Sequence, residues 1–268
     1  MKVLNVLKAS GEVEPFSDEK LQQSLSRAGA DNTLSRWITE KIREKIKDRT
    51  TTSEIHNRAF DLLQKQKGPL AARYRLKQAI MELGPTGHPF EKLTAWILRS
   101  EGYEAETNLM IRGTCVTHEV DVVAKKEGRQ IMVEAKYHNE RGIKSDVKVA
   151  MYVHARFDDI KGVDRWDEAW LITNTKLTSE AREYARCVGL TAIAWNYPGE
   201  RSLQNLIERS HLHPLTVLLS LDQWAKRTLL DKGLVLCKEL NGEVLSSVGL
   251  KEKKARAVME EVGVIMSI

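Results

Sequence analysis

Two alternating stretches, His118-Glu119-Val120-Asp121-Val122-Val123-Ala124 and Gln130-Ile131-Met132-Val133-Glu134-Ala135-Lys136, flank a short charged turn, Lys125 to Arg129. Period-two alternation on both sides of a turn commits this part of the chain to an antiparallel β-hairpin. With Glu127-Gly128 as the two loop residues, the register sets Asp121 opposite Glu134 and Glu119 opposite Lys136, all on one face. Val120, Val122, Val133 and Ala135 then point the other way and form core.

Opposed residues of a hairpin have Cβ atoms about 4.5 to 5.5 Å apart, and two carboxylates that close repel unless a positive charge stands between them. A divalent cation supplies one. Magnesium takes a few carboxylate oxygens and keeps some of its water, a donor set that Asp121, Glu134 and the backbone carbonyl of Ala135 can provide. Lys136 lies two residues beyond Glu134 and projects to the same side, where an ammonium can orient water or stabilise charge on a phosphate. The same spacing also fits the solvated face of an ordinary amphipathic hairpin, with Glu119 and Lys136 as a cross-strand pair.

The rest of the chain divides around this hairpin. Residues 1 to 83 read as a hairpin (Val3, Val6, Leu7, the turn Ser10-Gly11, Val13, Phe16) and about four helices. One helix is capped by Ser17, and the others run over 33–47, over 52–66 from a cap at Thr52 or Ser53, and over 69–83 from Pro69. Gly84-Pro85-Thr86-Gly87 interrupts helix and marks a boundary. An amphipathic helix with Phe90, Leu93, Trp96 and Ile97 follows, then strands at 104–111, 116–125 and 129–136. Helix 144–156, strand 169–173, helix 178–188 and strand 190–195 complete a mixed sheet flanked by helices. From about residue 201 only small helices are expected, ending in a basic one over Lys251 to Val262. The fold class is therefore α/β (α+β), in three parts: 1–84, 85–200 and 201–268.

Composition removes several alternatives. A chain of 268 residues with 42% hydrophobic and 29% charged residues is neither disordered nor fibrous. It has no apolar run of membrane-spanning length and no signal-peptide pattern, which places it in the cytoplasm, with no membrane partner. Cys115, Cys187 and Cys237 stand far apart without a CxxC pair, which argues against a zinc ribbon or a disulfide framework and suggests buried thiols. A net charge of +5 permits a polyanionic partner without demanding one.

The helix GHPFEKLTAWILRSEGYE, followed by Asp121 and then VEAK, resembles the PD-(D/E)xK nuclease superfamily, with a helix-first spacing similar to Mrr-type restriction endonucleases over residues 87 to 196. The resemblance implies that Asp121 and Glu134 bind Mg²⁺ or Mn²⁺, that Lys136 activates the hydrolytic water, and that Glu91 approaches the same site from the preceding helix. Val120 stands where that motif often has proline. His138 returns to the site face by strand alternation, and either contacts phosphate or is an ordinary exposed histidine. Arg141, Lys144 and Lys148 either hold a DNA backbone or form a solvated helix face.

The opening VLKASGEVEPFSDEKLQQSL, followed by TTSEIH and LAARYRLKQAI, resembles an ATP-cone, the regulatory nucleotide-binding module of ribonucleotide reductases and of a bacterial repressor of their genes. The resemblance implies that Lys8, Glu14, Ser17, Lys20, Thr52 and His56 contact ATP or dATP, and Ala9 stands where the family usually has arginine. The chain lacks the repressor's cysteine set and is too short for the reductase. The tail SSVGLKEKKARAVMEEV slightly resembles a helix-hairpin-helix clamp, with Lys251 where a second glycine is expected. Together these features imply a nucleotide-regulated, Mg-dependent endonuclease of double-stranded DNA, assembled as a homo-oligomer. The alternatives are a non-catalytic, nucleotide-gated DNA-binding or assembly protein and a nuclease acting on RNA.

Overall fold

The computed structural model describes residues 4–66 and 68–267, without the side chains of 68 and 69, so Val3 of the expected hairpin and the Pro69 side chain lie outside the described residues. Strands β1 (Asn5–Leu7) and β2 (Val13–Pro15) pair antiparallel, with Gly11 at φ +82° in the turn. Helix α1 (Asp18–Arg27) starts where the Ser17 hydroxyl accepts the N–H of Lys20 at 3.2 Å, and α2 (Asn32–Arg43) starts from the Asp31 carboxylate in the same way. Strand β3 (Thr50–Thr51) lies parallel to β1 and leads into α3 (Thr52–Gln66).

The cap of α3 is Thr51, one residue before the expected position. Thr51 Oγ1 accepts the Glu54 N–H at 3.1 Å while Glu54 Oε2 accepts the Thr51 N–H at 3.0 Å, so the threonine-x-x-glutamate box satisfies two terminal donors at once. The single helix expected over 69–83 is two, α4 (Gly68–Tyr74) and α5 (Leu76–Met81). They meet at Arg75, whose N–H reaches the Ala71 carbonyl and whose carbonyl accepts the Ala79 N–H, so the chain changes path without losing these bonds.

The central elements are α6 (His88–Ser100), β4 (Glu104–Arg112), β5 (Thr117–Lys126), β6 (Arg129–Lys136), β7 (Lys144–Ser145), α7 (Val147–Lys161), β8 (Glu168–Thr173), β9 (Lys176–Leu177), α8 (Ser179–Cys187) and β10 (Thr191–Ile193). Five strands make one sheet in the order β10-β8-β6-β5-β4, parallel from β10 to β6 and antiparallel from β6 to β4. Lys144 and Ser145, expected at the start of a helix, form a two-residue parallel pair with β9 instead. Helix α7 begins only after Asp146, whose carboxylate accepts the N–H groups of Lys148 and Val149.

Four more helices follow: α9 (Leu203–Arg209), α10 (Gln223–Asp231), α11 (Gly242–Ser247) and α12 (Glu252–Ser267). The chain forms two compact units, one of residues 1–79, 215–226 and 240–268, the other of 80–214 and 227–239. In the first, Leu25, Ile38, Ala59, Leu63 and Ala71 are fully buried, and α12 packs against α4. There the Glu261 carboxylate of α12 accepts the backbone N–H groups of Leu219 and Ser220 at 2.7 and 2.9 Å. In the second, Val123, Met132, Ala150, Val153, Ile160, Leu171 and Ala181 form one core between the sheet and helices α7 and α8. Fully buried aliphatic side chains such as Val153 and Leu171 stabilise that core by about 1.5 to 3 kcal/mol each. Of the three cysteines expected to be buried, Cys237 is, whereas Cys115 and Cys187 are exposed. Cys115 lies in the β4–β5 connection, where its backbone N–H donates to the Asp159 carboxylate at 2.7 Å.

Candidate active site

The β5–β6 hairpin has the register that a Glu127-Gly128 loop requires. Both loop residues have positive φ, +52° and +76°, and pairing runs from Lys126↔Arg129 to Val122↔Val133. The ladder stops there. Asp121 does not pair with Glu134 through the backbone; its Oδ2 accepts the N–H of Ala135 at 2.8 Å. On the other flank, the pairing of β4 with β5 skips Asn108 and Asp121, and Asn108 adopts φ +58°. An asparagine tolerates this left-handed conformation better than most side chains. Asp121 thus stands at a local break in both ladders, which frees its carboxylate to reach along the sheet plane.

Val120, Val122, Val133 and Ala135 are all buried, but Val120 packs into the same core as Val123 and Met132, because the break at Asp121 interrupts the alternation that would set it beside Val122. The site face is not a solvated one, however. Met132, two residues from Glu134 on the same side of β6, is buried against α7 together with Val123. Helix α7 therefore covers this face of the sheet. Tyr137 belongs to the opposite side, where its ring meets Phe90 of α6 at 5.7 Å.

Burial and mutual repulsion dominate the electrostatics. Burial first, and then the charge of Glu134, push the Asp121 carboxyl up to about 7. Burial also raises Glu134, against the opposing pull of the Arg156 guanidinium and the Lys136 ammonium. Glu91, buried on α6, adds its negative charge to both. Its own Oε2 lies 3.1 Å from Nδ1 of the exposed His88, whose pKa is raised chiefly by that contact. The structure thus brings Glu91, Asp121, Glu134 and Lys136 into one electrostatic neighbourhood. Glu119 does not form its expected pair with Lys136, which pairs with Thr173 through the backbone and whose ammonium has no hydrogen bond or ion pair among the described residues. Glu119 faces Met110 across β4, and its backbone carbonyl accepts a hydrogen bond from Arg156.

Arg156 was not singled out from the sequence. It lies in the buried stripe of α7 with Ala150, Val153 and Ile160, and its guanidinium donates to Glu134 Oε2 and to the Glu119 carbonyl. A charged residue on the apolar face of an amphipathic helix was the available signal.

His138 departs from expectation because β6 ends at Lys136, so strand alternation does not carry it to the site face. Its backbone N–H and carbonyl are held by the Asn174 side chain at 2.9 and 2.7 Å, and its Nε2 lies 3.0 Å from Ser145 Oγ. Burial holds its pKa below the usual histidine value. Arg141, Lys144 and Lys148 are exposed.

In a metal ion's terms, two carboxylates each have one oxygen committed, Asp121 Oδ2 to Ala135 and Glu134 Oε2 to Arg156, which leaves Oδ1 and Oε1 as donors. Hard oxygen donors crowded by like charge fit a divalent cation such as magnesium. Among the described residues no three His, Cys, Asp or Glu side chains converge as a complete cage, so a backbone carbonyl such as that of Ala135 and water would have to complete the set.

The residues expected to hold nucleotide form a second group. Lys8 Nζ lies 2.8 Å from Glu14 and 3.3 Å from Glu12, and Lys20 Nζ 3.1 Å from Glu14. The bond from Lys8 is the largest influence lowering the Glu14 carboxyl. Ser17 caps α1 beside Lys20. The parallel pair Leu7↔Thr51 sets Lys8 and Thr52 next to each other where β1 and β3 end. One turn along α3, His56 is stacked on Tyr74 at 4.6 Å.

Known families match this arrangement. The ATP cone domain model matches residues 4–78, the restriction endonuclease domain model (Mrr_cat) residues 84–195, and the AF1548-like C-terminal model residues 213–266. An uncharacterized protein of Archaeoglobus fulgidus is 38% identical over 170 residues, which span 62% of this chain and 96% of that protein. The crystal structure of the protein of unknown function AF1548 is 35% identical with a TM-score of 0.58, covering 68% of this chain and 98% of that one. Can2 from Sulfobacillus thermosulfidooxidans, solved in complex with cyclic tetra-adenylate, shares only 10% identity over 72% of this chain and 54% of its own at a TM-score of 0.33, which supports no argument about this chain. No helix among the described residues is long and apolar enough to cross a membrane. The chain therefore belongs to the family of the Archaeoglobus fulgidus protein, and it unites an ATP cone domain, a restriction endonuclease domain and an AF1548-like C-terminal region.

Proposed function

We propose that this protein is a Mg²⁺- or Mn²⁺-dependent endonuclease that hydrolyses phosphodiester bonds of double-stranded DNA under the control of ATP or dATP bound to its N-terminal domain. The observation that carries this reading is the buried pair Asp121 and Glu134, whose charges repel, next to an unpaired Lys136 within a restriction endonuclease domain. Asp121, Glu134 and the carbonyl of Ala135 would hold the ion, which when bound supplies charge for the phosphate and lowers the pKa of water. Lys136 orients the attacking water through its free N–H donors and stabilises charge that develops on the phosphoryl oxygens. Glu91 keeps the neighbourhood anionic, and the exposed Arg141, Lys144 and Lys148 steer and hold the DNA backbone.

In the nucleotide module, phosphates exchange for Glu14 as partners of Lys8 and Lys20, with Ser17, Thr52 and His56 completing the contacts. Occupancy of that module switches cutting through a change in assembly of a homo-oligomer. Purified protein incubated with supercoiled plasmid and Mg²⁺, with and without ATP or dATP, tests the reading. Nicked or linear DNA that depends on the metal and disappears in Lys136→Ala supports it; nucleotide-dependent DNA retention with no product identifies a binding protein instead. A labelled RNA run in parallel decides the substrate.

A further inference from the structure

We propose that Arg156 is the resident counter-cation of the carboxylate site, a positioning residue whose guanidinium fixes Glu134 beside Asp121 before any divalent ion arrives. This deepens the nuclease reading, on which its meaning for catalysis rests.

A buried guanidinium needs a reason. The Arg156 side chain is 9% exposed and comes from the apolar stripe of α7, where an aliphatic residue would pack at no electrostatic cost. It is not fully satisfied there, since its buried Nε has no hydrogen-bond partner. What it touches explains the position. Its two terminal nitrogens bridge Glu134 Oε2 and the Glu119 carbonyl, and its charge acts on Asp121 as well as on Glu134. The ring of Tyr152, one turn earlier on α7, lies 5.3 Å from the guanidinium carbon and restrains it further.

The fork thus joins three pieces of the site: the end of β5 through Glu119, β6 through Glu134, and α7. A planar guanidinium does this with two nitrogens held in a fixed fork, whereas an ammonium offers a single nitrogen on a flexible stem. Without it Glu134 would be free to swing away from Asp121, because like charges repel and no other hydrogen bond among the described residues holds its carboxylate. The guanidinium takes only one oxygen of Glu134. Oε1 remains directed by a fixed carboxylate, so a cation meets a donor that is already placed and loses less on binding.

A double-variant cycle tests this with the full chain in chelator, where no metal contributes. Arg156→Met is expected to lower the melting temperature by about 5 °C or more, because it leaves a buried carboxylate without its partner. Combining it with Glu134→Gln should return at least half of that loss, since the orphaned charge is then gone. A double variant no more stable than Arg156→Met overturns the proposal, whether or not the single variant folds. Mn²⁺ titration followed by electron paramagnetic resonance gives a readout that simple packing does not move. Affinity should fall about tenfold or more in Arg156→Met and be partly retained in Arg156→Lys. Unchanged or tighter Mn²⁺ binding in Arg156→Met also overturns the proposal. Wild-type protein that binds no Mn²⁺ and cuts no DNA would sink the nuclease reading alone, while the stability cycle still decides the role of Arg156.

Discussion

The carboxylate of Asp121 accepts the backbone N–H of Ala135 at 2.8 Å, in place of the strand-to-strand bond that the hairpin register would otherwise make there. One side chain thereby closes the β-ladder and opens the site. Replacing it with asparagine keeps the shape and can keep an acceptor for Ala135, yet removes the charge. Asp121→Asn should retain the fold by circular dichroism and lose plasmid cleavage by roughly 10³-fold or more, as expected when several kcal/mol of charge stabilisation disappear.

The same residue gives a pH signature. An acid whose folded pKa is raised to about 7 keeps its proton in the folded state while the unfolded chain has already released it, so stability falls as pH rises between about 4 and 7. In chelator, the melting temperature of the wild type should therefore decline from pH 5 to pH 8 more steeply than that of Asp121→Asn. The difference between the two curves isolates this group from His88 and His138. Parallel curves would show that Asp121 titrates normally.

Asp159 makes a separate, structural prediction. From α7 it accepts His118 Nε2 at 2.7 Å and the backbone N–H groups of Cys115 and Val116, which tie the β4–β5 connection to the helix. His118, followed by these amides, holds the Asp159 carboxyl far below its ordinary range, so its stabilising contribution is complete at neutral pH and is lost only on strong acidification. Asp159→Asn should lower the melting temperature by several degrees at pH 7 and speed proteolysis within residues 113 to 116, read by mass spectrometry of the fragments.

For the N-terminal domain, Lys8→Ala should weaken ATP binding by about tenfold or more in calorimetry, the loss expected for one charge-assisted phosphate contact. Glu14→Gln separates the two roles of that ion pair. It removes the acidic partner that Lys8 and Lys20 share and leaves Lys8 paired with Glu12, so nucleotide affinity should hold or rise while the melting temperature without nucleotide falls.

Much of this site was legible because β-structure has a period of two. A Glu127-Gly128 loop fixes the register of β5 and β6, and with it the neighbourhood of Asp121, Glu134 and Lys136. Helices were legible from their 3.6-residue period and end signals, down to the ends of α3 at Thr52 and Gln66. What escaped was tertiary. The helical stripe puts Arg156 on the apolar face of α7, but its partners appear only when α7 is laid over the sheet, and His138, beyond the end of β6 at Lys136, is held by Ser145 and Asn174. The break at Arg75 and the short β7–β9 pair left no local signature, since neither carries glycine or proline at the turning point.

The pairing of α12 with α4 has a consequence for how the polypeptide is made and cut. An N-terminal domain that shares its unit with residues 215–226 and 240–268 leaves the ribosome incomplete, and waits through synthesis of the entire sheet before its final helix emerges. A fragment ending near residue 84 would therefore expose an apolar flank of α4 to water, and a tether carrying the last two segments is the form in which that half should be expressed alone.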